Sequence, residues 1–261
     1  MPKLTEFSIL RNCRKTLPTN SSPWTIAIAQ GRLLLNTLLL LALTAGVGRA
    51  EEHTTGYPSM APLDQYLMTD RNEEIALARS AAPESISRDA KIMVLTRHGY
   101  ETAVEGKNGF VCAVERGWMA PFDNVEFWNP KIRGPICFNP AAARSILPLT
   151  IKRTELILSG LPKAEIVNKI RAAQEQKQLP ALEPGAMSYM MSKRAYLTDR
   201  DGHNLCHLMI YTPLAQGAAW GADQPGSPVG FGGQFQGAPE PITVFLVAVS
   251  KWSDGTLAPQ M

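Results

Sequence analysis

The sequence contains no apolar run long enough to cross a bilayer. Its longest, Leu33 to Val47, has about 15 residues where a spanning helix needs about 20. Cysteine is scarce, four in 261 residues, and none lies near the end of that run, so there is no lipoprotein-type attachment point. The chain has no internal repeat and no coiled-coil seam. It also has no G-x-S-x-G elbow, and Pro225-Gly226-Ser227-Pro228 is loop chemistry rather than a strand-to-helix turn. Gly230-Phe231-Gly232-Gly233 lacks the following lysine of a phosphate-binding loop. Serine-triad hydrolysis and P-loop chemistry therefore have no local support.

What is there first is a leader. Lys3, Arg11, Arg14, Lys15 and Arg32 precede the apolar run, and Gly48-Arg49-Ala50 places small residues where a signal peptidase reads them. The expectation is a signal peptide over residues 1–50, cleaved after Ala50, and a secreted or periplasmic protein. Retained as an anchor, the segment would hold Arg32 at mid-membrane, at a cost of about 2.5–3.5 kcal/mol.

Cleavage changes the electrostatics. Six of the 26 Lys+Arg and one of the 23 Asp+Glu lie in the leader, which leaves 20 basic and 22 acidic residues, a charge of −2. Such a surface carries no electrostatic footprint for nucleic acid and no polybasic patch for anionic lipid. The expected partner is a small molecule or protein outside the inner membrane, with no nucleic acid, no membrane span after cleavage and no cofactor. Cys112, Cys137 and Cys206 remain, an odd number that points to one disulfide and one thiol in an oxidising compartment. Cys112 is expected to pair with Cys137.

Along the mature chain, residues 51–85 read as an N-terminal extension with one peripheral helix, capped by Thr69 or Asp70 and stopped before Pro83. Residues 86–261 read as a single α+β domain. Its expected strands are 91–96, 100–106, 110–116, 186–192, 205–212 and 242–249. Lys107-Asn108-Gly109 reads as a three-residue hairpin loop joining 100–106 to 110–116, a register that sets Val104 against Cys112 and Glu101 against Glu115. Asn139-Pro140 has cap and first-turn chemistry and opens a helical insert over 139–179. The run 213–241 is a long Gly/Pro-rich loop with no period. The fold expected is a mostly antiparallel sheet of about six strands, with the helical insert packed on one face.

Candidate chemistry is sparse. Glu101 and Glu115, opposed across the expected hairpin, would raise one another's pKa and divide acid and base roles; the alternative is a solvated face. Arg97-His98-Gly99, after a strand, resembles the Arg-His-Gly core of histidine phosphatases, in which the histidine is the nucleophile. The arginine that family carries two residues later is absent here, where Tyr100-Glu101 stands. His203, Cys206 and His207 form an H-x-x-C-H cluster, a candidate metal site if helical; on a strand Cys206 and His207 point oppositely. Trp220, Phe231 and Phe235 offer ligand-contact rings in the long loop. The leading expectation is a non-catalytic ligand-binding or interaction protein. The alternatives are an extracytoplasmic hydrolase using His98 or His207 with a glutamate, and a periplasmic metal-binding protein.

Overall fold

The computed structural model describes residues 56–200, 205–234 and 241–259; the leader lies outside the described residues. The chain is α+β, with helices Arg71–Arg79 (α1), Glu84–Ser87 (α2), Pro140–Ser145 (α3), Leu147–Leu158 (α4) and Lys163–Glu175 (α5). Eight strands form one sheet: Lys91–Thr96 (β1), Gly99–Val104 (β2), Val111–Glu115 (β3), Gly134–Phe138 (β4), Met187–Met190 (β5), His207–Pro213 (β6), Val229–Gln234 (β7) and Ile242–Ala248 (β8). Their order is β2-β1-β3-β4-β5-β6-β8-β7. Every neighbouring pair is antiparallel except β1 with β3.

Eight strands replace the six expected. The two missed are β4, five buried residues behind a proline-rich approach, and β7, whose Val-Gly-Phe-Gly-Gly-Gln sequence has too few apolar side chains to show a strand period. The described part of 213–241 carries regular structure: Gly217–Trp220 forms a turn of 3₁₀ helix, and β7 pairs along β8.

The hairpin expected across 100–116 does not form. β2 folds back on β1 through Arg97-His98, with Thr96 paired to Gly99. Gly99 sits at φ 116°, a conformation that Cβ-bearing residues rarely adopt. The chain then crosses the start of β1 to reach its other side, where β3 runs parallel to it. The Lys107-Asn108-Gly109 segment is that crossing. Lys107 N–H donates to the Asp89 carbonyl at 2.8 Å, and the Asn108 side chain donates to the Ile86 carbonyl at 2.7 Å. A Cβ on Gly106 would stand 2.1 Å from the Lys91 nitrogen, so only glycine passes.

Strand alternation divides the core between the two faces of the sheet. On one face, Ile92, Cys112, Val114 and Cys137 pack under Leu77 and Ala78 of α1. On the other, Met93, Ala113, Ile136 and Phe138 meet Ala142, Ile146 and Leu147 of α3 and α4. Asp70 caps α1 by accepting from Asn72 N–H at 2.8 Å, and Asn139 caps α3 by accepting from Ala142 N–H at 2.8 Å. Cys112 and Cys137 are directly opposed on β3 and β4 and form the disulfide.

A buried ion pair ties α1 to the sheet. Arg116 and Glu74 meet at 2.9 Å with both side chains shut from solvent. Arg116 also donates to the carbonyls of Tyr66 and Val114, and Glu74 accepts from Leu95 N–H. No helix of the described residues is long and apolar enough to cross a membrane.

Candidate functional site

A cavity of about 260 Å³ opens on the face of the sheet that carries α3 and α4. Strand alternation brings Glu115 of β3, Gly134 of β4, Met190 of β5, Met209 and Tyr211 of β6, and Ile242, Val244 and Leu246 of β8 to its floor. Ile146, Leu149, Thr150 and Arg153, from the α3–α4 segment, form the opposite wall. Arg116, Ile132, Leu197, Gly232 and residues of the 117–121 turn also line it. The walls are predominantly apolar, with a few polar groups converging at one place, which is the usual make-up of a small-molecule site.

Those polar groups are Glu115, Thr150, Arg153 and Tyr211. Arg153 is almost wholly buried (3% exposed), donates to the Met119 carbonyl at 3.1 Å and lies 4.0 Å over the ring of Phe122. Glu115 is half-buried, and its carboxyl is pushed up to about 7 by burial, against the opposing pull of Arg153 and Thr150. Tyr211 shares a 2.9 Å hydrogen bond with Ser188, and burial raises its phenol well above the ordinary value.

The glutamate pair does not assemble. Glu101 pairs with Val94 on edge strand β2, while Glu115 pairs with Gly134, and alternation sends the two side chains to opposite faces of the sheet. Glu101 is exposed and accepts from the Thr96 hydroxyl at 2.8 Å. The error came from the Lys107-Asn108-Gly109 turn signal, which is real but wraps a third strand.

The histidines do not join Glu115. His98 is exposed at the tip of the β1–β2 turn, its backbone N–H held by the Thr96 hydroxyl at 3.1 Å. His207 is buried at the start of β6, with Nδ1 2.6 Å from the Leu205 carbonyl, and burial lowers its pKa. Neither lines the cavity. His203 lies outside the described residues. Among the described residues no group of three histidines, cysteines or acids is placed to hold a metal ion. Cys206 is a free, buried thiol whose Sγ–H donates to the Lys251 carbonyl at 3.1 Å, and burial pushes it up to about 11.

Trp220 is 40% exposed and stacks on Phe245 at 4.3 Å with the planes 12° apart. Phe245 alternates with Val244 and Leu246 on β8, so Trp220 covers the face of the sheet away from the cavity. Phe231 takes its place in the sheet opposite Phe245, and Phe235 lies outside the described residues. Among the described residues of the 213–241 stretch only Gly232 reaches the cavity, where a Cβ would come within 3.1 Å of Leu246 Cγ.

Sequence reasoning missed Arg153, Thr150 and Tyr211. Only one signal pointed their way: Thr150 and Arg153, three apart on α4, with Thr154 beside them, break the apolar stripe of its buried face. Comparison with protein-family models, with curated proteins and with solved structures finds no match to this chain.

Proposed function

We propose that this is an exported, non-catalytic binding protein that holds a small, mostly apolar molecule in the cavity between the sheet and α3–α4. The observation that carries the reading is the convergence of Glu115, Thr150, Arg153 and Tyr211 at one place in an apolar cavity. Export by cleavage after Ala50 belongs to the same proposal, and the Cys112–Cys137 disulfide is consistent with an oxidising compartment. The helical insert over 139–179 then has a role, because α3 and α4 supply the wall that faces the sheet.

The hydrolase alternative draws no support from this cavity, because Glu115 lines it and His98 and His207 do not. The experiment is an NMR titration with hexan-1-ol, observed on methyl groups. The expected result is saturable shifts confined to Ile132, Ile146, Leu149, Ile242, Val244 and Leu246. Shifts centred on residues beside Trp220, or none that saturate, would reject this cavity as the site.

A further inference from the structure

The cavity reaches the surface at β7. Of the described residues that line it, all are buried or half-buried except Gly232, which is exposed. β7 is the last strand of the sheet, and its pairing with β8 shifts between Phe231 and Gly233, so Gly232 is the bulged residue. The Gly232 backbone stays outside the left-handed region, so its conformation does not call for glycine. Space does. A Cβ there would stand 3.0 Å from the Val244 carbonyl oxygen and 3.1 Å from Leu246 Cγ, and both residues belong to the cavity floor. Two positions earlier, a Cβ on Gly230 would meet nothing closer than 3.8 Å, and Gly230 does not line the cavity.

The opposite end is braced. Arg153 donates to the Met119 carbonyl at 3.1 Å and lies 4.0 Å over the Phe122 ring, which joins α4 to the 117–121 turn and the segment after it. Arg116, before that turn, is held by Glu74 and by the Tyr66 and Val114 carbonyls. β7, by contrast, pairs with β8 alone among the described strands. Five strand steps separate β3 from β7, a span of no more than about 24 Å at about 4.8 Å a step. A sphere of about 260 Å³ would be only about 8 Å across, less than two such steps, so a cavity lined by both strands is elongated.

We propose that the ligand enters and leaves at the β7 bulge, and that Gly232, by carrying no side chain, sets the width admitted. An unbranched aliphatic chain passes, and a branched isomer of the same composition does not. This rests on the binding-site reading given above. Gly232 acts on passage rather than on the strength of holding, because it stands where the lining meets solvent and the polar groups lie towards β3 and α4.

The test is methyl-observed NMR exchange with hexan-1-ol and its isomer 3,3-dimethylbutan-1-ol, from which association and dissociation rates are read separately. On the unmodified protein the branched isomer should associate at least about tenfold more slowly, as expected when a passage must stretch for extra methyl groups. Gly232→Ala should lower the association and dissociation rates of hexan-1-ol together, by about tenfold, while Kd moves less than about threefold. Gly230→Ala, on the same strand but with room for its methyl, should leave both rates unchanged. A merely structural role for Gly232 would move Kd and the urea midpoint without moving the two rates in step. Equal association rates for the two isomers in the parent protein would overturn the proposal, as would unchanged hexan-1-ol rates in Gly232→Ala; the cavity reading then stands alone. If hexan-1-ol does not bind saturably, both fall. The comparison of isomers is made on the unmodified protein, so the outcome does not depend on any variant folding.

Discussion

Removing both partners of the Arg116–Glu74 pair should damage this protein far less than the sum of removing each alone. Glu74 is 1% exposed and Arg116 likewise 1%, so in Glu74→Ala the guanidinium keeps its charge in a place water does not reach. Stranding a buried charge in this way costs about 3–5 kcal/mol. The Leu95 N–H, which Glu74 accepts, loses that partner as well. Arg116→Met leaves the reciprocal problem, a buried carboxylate. The double variant Glu74→Ala/Arg116→Met strands no charge. Its remaining costs are the Tyr66 carbonyl, which loses the 2.6 Å bond from Arg116 Nε, and the Leu95 N–H, which loses Glu74, each a desolvated group worth about 1–3 kcal/mol. The Val114 carbonyl fares better, because the Tyr100 hydroxyl still donates to it at 2.8 Å. Urea denaturation of the four proteins with the disulfide intact closes the double-mutant cycle. The singles should each lose several kcal/mol, and the double should lose less than their sum by at least about 2 kcal/mol. If the single losses simply add, or if Glu74→Ala costs under about 1 kcal/mol, the pair does not carry buried charge and the reasoning fails.

Other expectations follow from the same geometry. The Cys112–Cys137 disulfide, with a sequence separation of 25, should contribute about 3.5 kcal/mol in the chain-entropy account, read as the urea-stability difference between the parent and a Cys112→Ala/Cys137→Ala variant. Cys206 should resist iodoacetamide in the native protein and react at once in denaturant, because its thiol is buried and pushed up to about 11. Glu115 binds its proton more tightly in the folded chain, at about 7 against an ordinary 4.5. Its stabilising effect is therefore complete below about pH 4.5 and is lost as pH rises through 7, by up to about 3 kcal/mol at about 1.4 kcal/mol per unit. Glu115→Gln should remove that part of the pH–stability profile, measured as urea midpoints across pH 4–8. Trp220→Ala should lower stability yet leave hexan-1-ol titration unchanged, because the ring stacks on Phe245 on the face away from the cavity.

Much of the fold is visible in the sequence where chemistry is local. The runs 91–96 and 242–249 match β1 and β8 closely because β-branched and apolar residues fill them. Asn139-Pro140 marks the start of α3 through a cap that any reader of local geometry can recognise. The pairing of strands is another matter. Val104 does lie near Cys112 in sequence-pattern terms, but β1 comes between them in the sheet, and only the close passage of Gly106 over Lys91 makes that arrangement possible. A glycine gives no hint of what passes beside it. β7 was hidden for a related reason: its glycines suit the close packing of Gly232 over Leu246, which erases the hydrophobic alternation that would have announced a strand. The polar end of the cavity was hidden because Glu115, Arg153 and Tyr211 come from three separate parts of the chain, and no local pattern joins them.

That dispersal has a thermodynamic consequence. The cavity lining runs from Glu115 to Leu246, with contributions from both halves of the sheet and from α4, so no fragment that opens by itself carries a working site. A bound molecule therefore loses its site as soon as any of these elements comes away. Its binding free energy is added to every opening that separates them, growing as RT ln(1 + [L]/Kd) up to global unfolding. Occupancy would appear as a uniform rise in amide-exchange protection across β3, β6, β8 and α4, with the β1–β2 turn at His98 left as labile as before.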